Sequence, residues 1–174
     1  QYILFLILMI LHTYTSKWSD HCDYILSEIA KRMHFISQLI KSGVDRQDVV
    51  AIYCSIIRSV LEYCCPIWHP GLTAQQTKDI ERIQKRVLRI IYPKLSYKDS
   101  LCVTCLETLS SRREKITREL FCEIKKDGHI LNSLLVKHDI NVSLRQSQYE
   151  FNVPVFRTLR SRHDFINYCL YKNY

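Results

Sequence analysis

Hydrophobic positions recur at three- and four-residue steps over most of the chain, the pattern of helices that each bury one face. Ile25, Ile29, Met33, Ile36 and Ile40 make the first stripe, with Ser19 or Asp20 as the expected N-cap and Gly43 as the stop. Asp45 opens a second helix, in which Val49, Ile52, Tyr53, Ile56, Ile57, Val60 and Leu61 are so apolar that most of its circumference must be covered. Pro66, Pro70 and Gly71 then break the pattern around Trp68 and His69, which predicts a loop carrying an aromatic anchor. A third helix is predicted from Thr73 to Ile91, with Ile80, Ile83, Val87 and Ile90 as a narrow apolar seam closed by Pro93. Ser96 to Cys105 reads as a short helix, and Ser111 with Glu114 reads as a capping box that opens a longer one through Ile116, Leu120 and Ile124 to Gly128. After about Ile140 the periodicity fails. Pro154 and the spaced aromatics Tyr149, Phe151, Phe156, Phe165 and Tyr168 predict an extended arm instead of another helix.

The expected architecture is therefore all-α, a small helical bundle of about five helices with an irregular basic C-terminal tail. It divides into an apolar N-terminal segment at 1–16, a helical domain at 17–138 and a basic aromatic arm at 139–174. A chain of 174 residues can bury one core with a trailing arm, but has no room for a polymerase or nuclease domain beside it. Three glycines and four prolines leave little material for tight hairpins, and remove glycine-rich phosphate loops from consideration. The run from Tyr2 to Leu11 falls short of the ~20 apolar residues that a membrane helix needs. It is read as a strand or helix cut off from its parent domain, with a signal-peptide core or membrane anchor as the less favoured alternatives. The opening Gln1 suggests a chain that begins inside a longer reading frame.

Charge changes this picture from a bundle to a bundle with a partner. A formal net charge of +8 and a pI near 9.1 favour a polyanion, because Lys and Arg release condensed counterions when they meet phosphates. From Lys78 to Lys126 there are thirteen Lys and Arg against seven acids. Helical periodicity places Lys78, Arg82, Lys85, Arg86 and Arg89 away from the apolar seam, where they could follow a phosphate backbone. Arg145, Arg157, Arg160 and Arg162, interleaved with Phe151, Phe156 and Phe165, make the arm a second candidate surface for phosphates and stacked bases.

Candidate enzymatic chemistry is thinner. Eight cysteines would suit a disulfide scaffold, but Cys54, Cys64, Cys65 and Cys122 sit in apolar helical stretches and read as reduced core thiols. Cys102-Val103-Thr104-Cys105 has the spacing of half a zinc site without a second half at a suitable distance, so no metal is expected. His21-Cys22-Asp23 has the letters of an iron-binding HxD element, yet positions two apart on an α-helix point ~200° apart. No glycine-rich turn follows a strand, as a methyl-donor site would need. No cofactor or small-molecule substrate is expected.

Taken together the segments resemble the region downstream of the catalytic palm in non-LTR retrotransposon reverse transcriptases of the jockey kind. Lys17-Trp18-Ser19-Asp20-His21 and Ala30-Lys31-Arg32-Met33-His34-Phe35 resemble that family's "LKW…H" strand end and the helix after it. Tyr53 through Leu72, YCSIIRSVLEYCCPIWHPGL, is similar to its "IRPVLEYACPVWH" signature, and Ile80 through Pro93, IERIQKRVLRIIYP, to its "IERVQKRALRII". Leu106 to Lys115 and Arg160 to Leu170 resemble later blocks, in the family's order. The resemblance implies a helical thumb and adjoining segment that would contact RNA or an RNA:DNA hybrid in a nuclear or cytoplasmic setting. By position it adds Arg112 and Arg113 to the gripping residues.

Two departures stand out. Ser59 occupies a position where the family has proline, and the residues before Lys17 do not follow its strand. The chain also lacks any Asp-Asp pair of the palm's metal-binding kind, so the resemblance implies a non-catalytic fragment whose palm lies elsewhere, or a relic of one. Residues 17–44 further resemble the short N-terminal helical stretch of AlkB-type tRNA-modifying dioxygenase and methyltransferase proteins. That alternative, and a helical protein-interaction or membrane-tethered module, are the competing expectations.

Overall fold

A computed structural model describes residues 18–136, 151–155 and 158–174, and over these the fold is all-α. The apolar run at 2–11 lies outside the described residues. Helix α1 (Trp18–Lys41) already contains Ser19 and Asp20, so neither is the cap expected of it, and His21 and Asp23 lie within its helical backbone. It buries Ile25, Ile29, Met33 and Ile36. Its end is a Schellman motif: the Gly43 N–H donates to Ile40 O at 3.2 Å and the Val44 N–H to Leu39 O at 3.2 Å. Gly43 has φ +79° with nothing within 4 Å of a Cβ, so backbone conformation alone asks for glycine there.

Asp45 Oδ2 accepts from the Gln47 N–H at 2.8 Å and caps α2 (Arg46–Tyr53). The helix widens into a π turn over Cys54–Arg58 before α3 (Ser59–Glu62), and the Ser59 N–H reaches back to Cys54 O. Arg32 of α1 donates to the carbonyl of Ile56 inside this wide turn at 2.5 Å, one way a π turn's irregular carbonyls are satisfied. Cys64, left-handed at φ 50°, redirects the chain into α4 (Cys65–Trp68) and a 3₁₀ turn at His69–Gly71. The expected loop is thus a pair of tight helical turns. Its anchor is real: Trp68 is buried and its indole N–H donates to Tyr63 O at 2.9 Å.

Thr73 and Gln76 form a reciprocal capping box that opens α5 (Ala74–Ile91). Ser96 caps α6 (Tyr97–Thr104). Helix α7 (Leu109–Ile124) starts earlier than expected, because Thr108 is its cap and the Ser111 N–H donates to Thr108 Oγ1 at 3.2 Å. It also stops short of Gly128: the side-chain amide of Asn132 donates to Ile124 O at 3.0 Å and Lys125 O at 3.1 Å, closing the helix end. A 3₁₀ turn follows at Ile130–Leu134.

The largest departure is at the C-terminus. The expected irregular arm contains α8 (Leu159–Arg162) and α9 (Phe165–Lys172), and α9 packs on α4 and α7.

Two buried clusters result. In the first, α1, α2, α3 and α5 converge on Ile29, Tyr53, Ile57, Leu61, Ile80 and Val87. In the second, Phe121, Ile124 and Leu131 meet Phe151, Phe165 and Cys169, so residues assigned to a separate arm complete a core with α7. No single helix among the described residues is long and apolar enough to cross a membrane.

Candidate nucleic-acid interface

The orientation of α5 about its own axis decides which of its side chains meet solvent. Ile80, Ile83, Val87, Leu88 and Ile91 are buried, and so is one polar residue among them, Gln84, with 0% exposure. Its Oε1 accepts from the Tyr53 hydroxyl at 2.8 Å, and its Nε2 donates to the Tyr97 hydroxyl at 3.1 Å and to Glu107 O at 2.9 Å. The Tyr97 hydroxyl in turn donates to Glu81 Oε1. Glu81 also faces the backbone N–H groups of Leu109 and Ser110 at 3.4 and 3.3 Å, where the N-terminus of α7 favours a negative charge. Burial and the Glu81 carboxylate both push the Tyr97 phenol well above its ordinary range, so it remains a donor.

With that face fixed, Lys78, Arg82, Lys85, Arg86 and Arg89 are all exposed. At 100° per residue they fall within an arc of about 100°, one continuous cationic stripe along the helix. Arg82 Nη1 lies 2.5 Å from Asp79 Oδ1, and the Lys85 ammonium stands 5.1 Å from the centre of the Tyr97 ring. Both contacts are made by the charged heads themselves, on exposed side chains where such contacts are weak and exchangeable. Arg82 and Arg86 also edge a shallow notch of about 170 Å³ against Leu26, Ala30 and Met33 of α1.

Of the remaining expected residues, those whose side chains are described are not brought to this stripe. Arg112 is half-buried on α7, its Nε 3.5 Å from Glu62 Oε2, and Glu62 also holds Arg58 at 2.6 Å. Arg113 corrects the expectation outright: it is fully buried, with its guanidinium 5.7 Å from the centre of the Trp68 ring, and cannot touch a phosphate in this arrangement. Arg162 lies 4.0 Å over the Tyr171 ring, Arg157 is outside the described residues, and only the backbone of Arg160 is described, in α8. Cys102 and Cys105 are exposed at the end of α6, and no group of three or more His, Cys, Asp and Glu side chains among the described residues is placed to share a metal.

Two arrangements have no counterpart in the sequence pattern, because their members are far apart along the chain. None of the three Arg113 nitrogens has a hydrogen-bond partner among the described residues. Burial pushes its pKa down, while Cys65, Glu81, Cys22 and Glu62 act on it through space in the opposite sense. The thiols cannot neutralise it, since burial raises Cys65 to about 12 and Cys22 to about 11. Glu114 is the second. It accepts from His69 Nε2 at 2.7 Å and from the hydroxyls of Tyr168 and Tyr174, with the Lys172 ammonium 3.9 Å away. One carboxylate thus ties α4's exit turn to α9 and to the last residue.

Searches against family models, curated proteins and solved structures find no match to this chain.

Two expectations follow from the buried groups. Replacing Arg113 by Met keeps volume and removes an uncompensated ion, so its unfolding free energy in urea should equal or exceed that of the parent by up to about 3 kcal/mol, whereas Arg113→Ala should lose about 2–4 kcal/mol to a cavity. A loss of more than about 1 kcal/mol in the Met variant would show that the charge is needed. His69 is the pH-sensitive group: burial lowers its pKa from the ordinary 6.5, against the pull of Glu114. Protonation would place a proton on Nδ1, which is buried without a partner among the described residues. With the folded value depressed, this contribution is complete above pH 6.5 and is lost as pH falls through the lower folded value. Urea midpoints should therefore drop less between neutral pH and mild acid in His69→Gln than in the parent, and equal drops would refute the assignment.

Proposed function

We propose that the chain is a non-catalytic, nucleic-acid-gripping helical segment of a retroelement RNA-directed DNA polymerase, working beside a palm domain that it does not contain. The observation that carries the proposal is the exposed stripe of Lys78, Arg82, Lys85, Arg86 and Arg89, set on a capped helix whose opposite face is locked into the core. Cations at successive turns of one rigid helix can neutralise several phosphates without paying to order a loop. The likeness of Ile80 through Pro93 and Tyr53 through Leu72 to the reverse-transcriptase blocks supplies the class of partner, RNA or an RNA:DNA hybrid.

The test is binding of the purified chain to a labelled RNA:DNA hybrid across a salt series, beside an Arg82, Lys85, Arg86 and Arg89 to Ala variant. Each cation that displaces a counterion adds roughly 0.7–0.9 to the slope of log affinity against log salt. The quadruple variant should therefore lose about 3 from that slope and bind about tenfold more weakly or worse at low salt. Equal, weak binding by both proteins would remove the α5 stripe as an interface.

A further inference from the structure

The surface that α3, α4 and α7 leave open is unlike the α5 stripe in shape and in sign. A groove of about 550 Å³ runs between them, floored by Tyr63, Pro66, Ile116, Leu120 and Leu131. That volume lies in the range of clefts that take a ligand or a buried anchor side chain. Tyr63 keeps 46% of its surface exposed there.

The groove's charged residues are all carboxylates: Glu62, Glu119 and Glu123. Glu62 is committed to Arg58 and Arg112. Glu119 and Glu123 are exposed and make no ion pair or hydrogen bond among the described residues. They stand one turn apart on α7, an i,i+4 like-charge pair that by itself costs the helix a few tenths of a kcal/mol. In a chain of net charge +8, an apolar cleft edged on its α7 side by the two carboxylates of Glu119 and Glu123 is a local acidic edge.

The geometry points to a docking site for a short, basic amphipathic helix of a partner protein, with an apolar stripe on the groove floor and Lys or Arg one turn apart against Glu119 and Glu123. Charge complementarity selects a cationic occupant. The walls select its conformation: they are built from helical turns, whose backbone groups are already paired, so an incoming segment has no strand edge to join and must satisfy its own backbone. The chain's net positive charge disfavours a cationic peptide over the surface as a whole, and the apolar floor beside two carboxylates distinguishes this cleft from the other exposed acids. The site is independent of the nucleic-acid reading, since none of its residues lies on α5.

The test is fluorescence anisotropy of a labelled amphipathic Leu/Lys helical peptide, and of its Leu/Glu counterpart, with the full chain and two variants. Glu119→Lys/Glu123→Lys changes only exposed side chains, and circular dichroism checks that its helix content is unchanged. Lys85→Ala/Arg89→Ala alters the opposite charge surface. The Leu/Lys peptide should bind the parent and the α5 variant alike, and bind the Glu119/Glu123 variant about tenfold more weakly or worse, while the Leu/Glu peptide, drawn to cations instead, should be weakened by the α5 changes and not by the Glu119/Glu123 changes. The proposal is overturned by absence of binding to the parent or by equal binding to the Glu119/Glu123 variant. It is also overturned if the chain self-associates through the groove, or if the peptide binds only once residues 137–150 are deleted, since the occupant is then a second copy or the chain itself.

Discussion

Gln84 is the side chain on which the arrangement turns. It sits on the buried face of α5 between Ile80, Ile83, Val87 and Leu88, where an unpaired amide would cost the fold several kcal/mol. Its three bonds go to three other parts of the molecule: Tyr53 on α2, Tyr97 at the start of α6, and the Glu107 carbonyl just before α7. Apolar packing alone would tolerate some rotation of α5. The amide does not, because turning the helix by one residue, about 100°, would strand all three partners. The same register that satisfies Gln84 sends Lys78, Arg82, Lys85, Arg86 and Arg89 to solvent. The interior hydrogen bonds and the exterior cationic stripe are two consequences of one constraint.

The second half of the molecule is held differently. Glu114 gathers His69, Tyr168, Tyr174 and Lys172, so the C-terminal helix is fastened to α7 through a polar knot above the Phe121, Phe165 and Cys169 core. Arg113, the adjacent residue on α7, points inward to the Trp68 ring with no hydrogen-bond partner for its guanidinium among the described residues. Here local preference and tertiary packing conflict, and a buried ion of this kind adds little or nothing to stability beyond its bulk.

Legibility followed sequence distance. Helix α5 could be read to its ends, because its capping box, apolar seam and terminating Pro93 are all local signals. Gln84 has no role in the sequence reading: its partners lie up to 31 residues away and nothing local names them. The start of α7 was misread because Ser111 and Glu114 imitate a capping box, whereas Glu114 is drawn off to His69, Tyr168 and Tyr174 and Thr108 caps instead. Arg112 and Arg113 looked equivalent. Neighbours on a helix differ by about 100°, and that places one beside Glu62 and the other in the core. The C-terminal helices were missed because eight residues of Phe165–Lys172 carry too little periodic signal, and their stability comes from α7 and α4. The groove between α3, α4 and α7 had no sequence signal beyond the like-charged pair at Glu119 and Glu123.

The claim that Gln84 sets the register of α5 is tested most directly by a double-mutant cycle in urea, using Tyr53→Phe, Gln84→Leu and the pair. Each single change leaves a buried partner unsatisfied and should lower the unfolding free energy by about 1–3 kcal/mol. The double variant removes both ends of the bond, and should lose less than the sum by about 1 kcal/mol or more. Strictly additive losses would contradict the account, because they would mean that the two side chains stabilise the fold independently and that the bond joining α2 to Gln84 does not hold α5 in register.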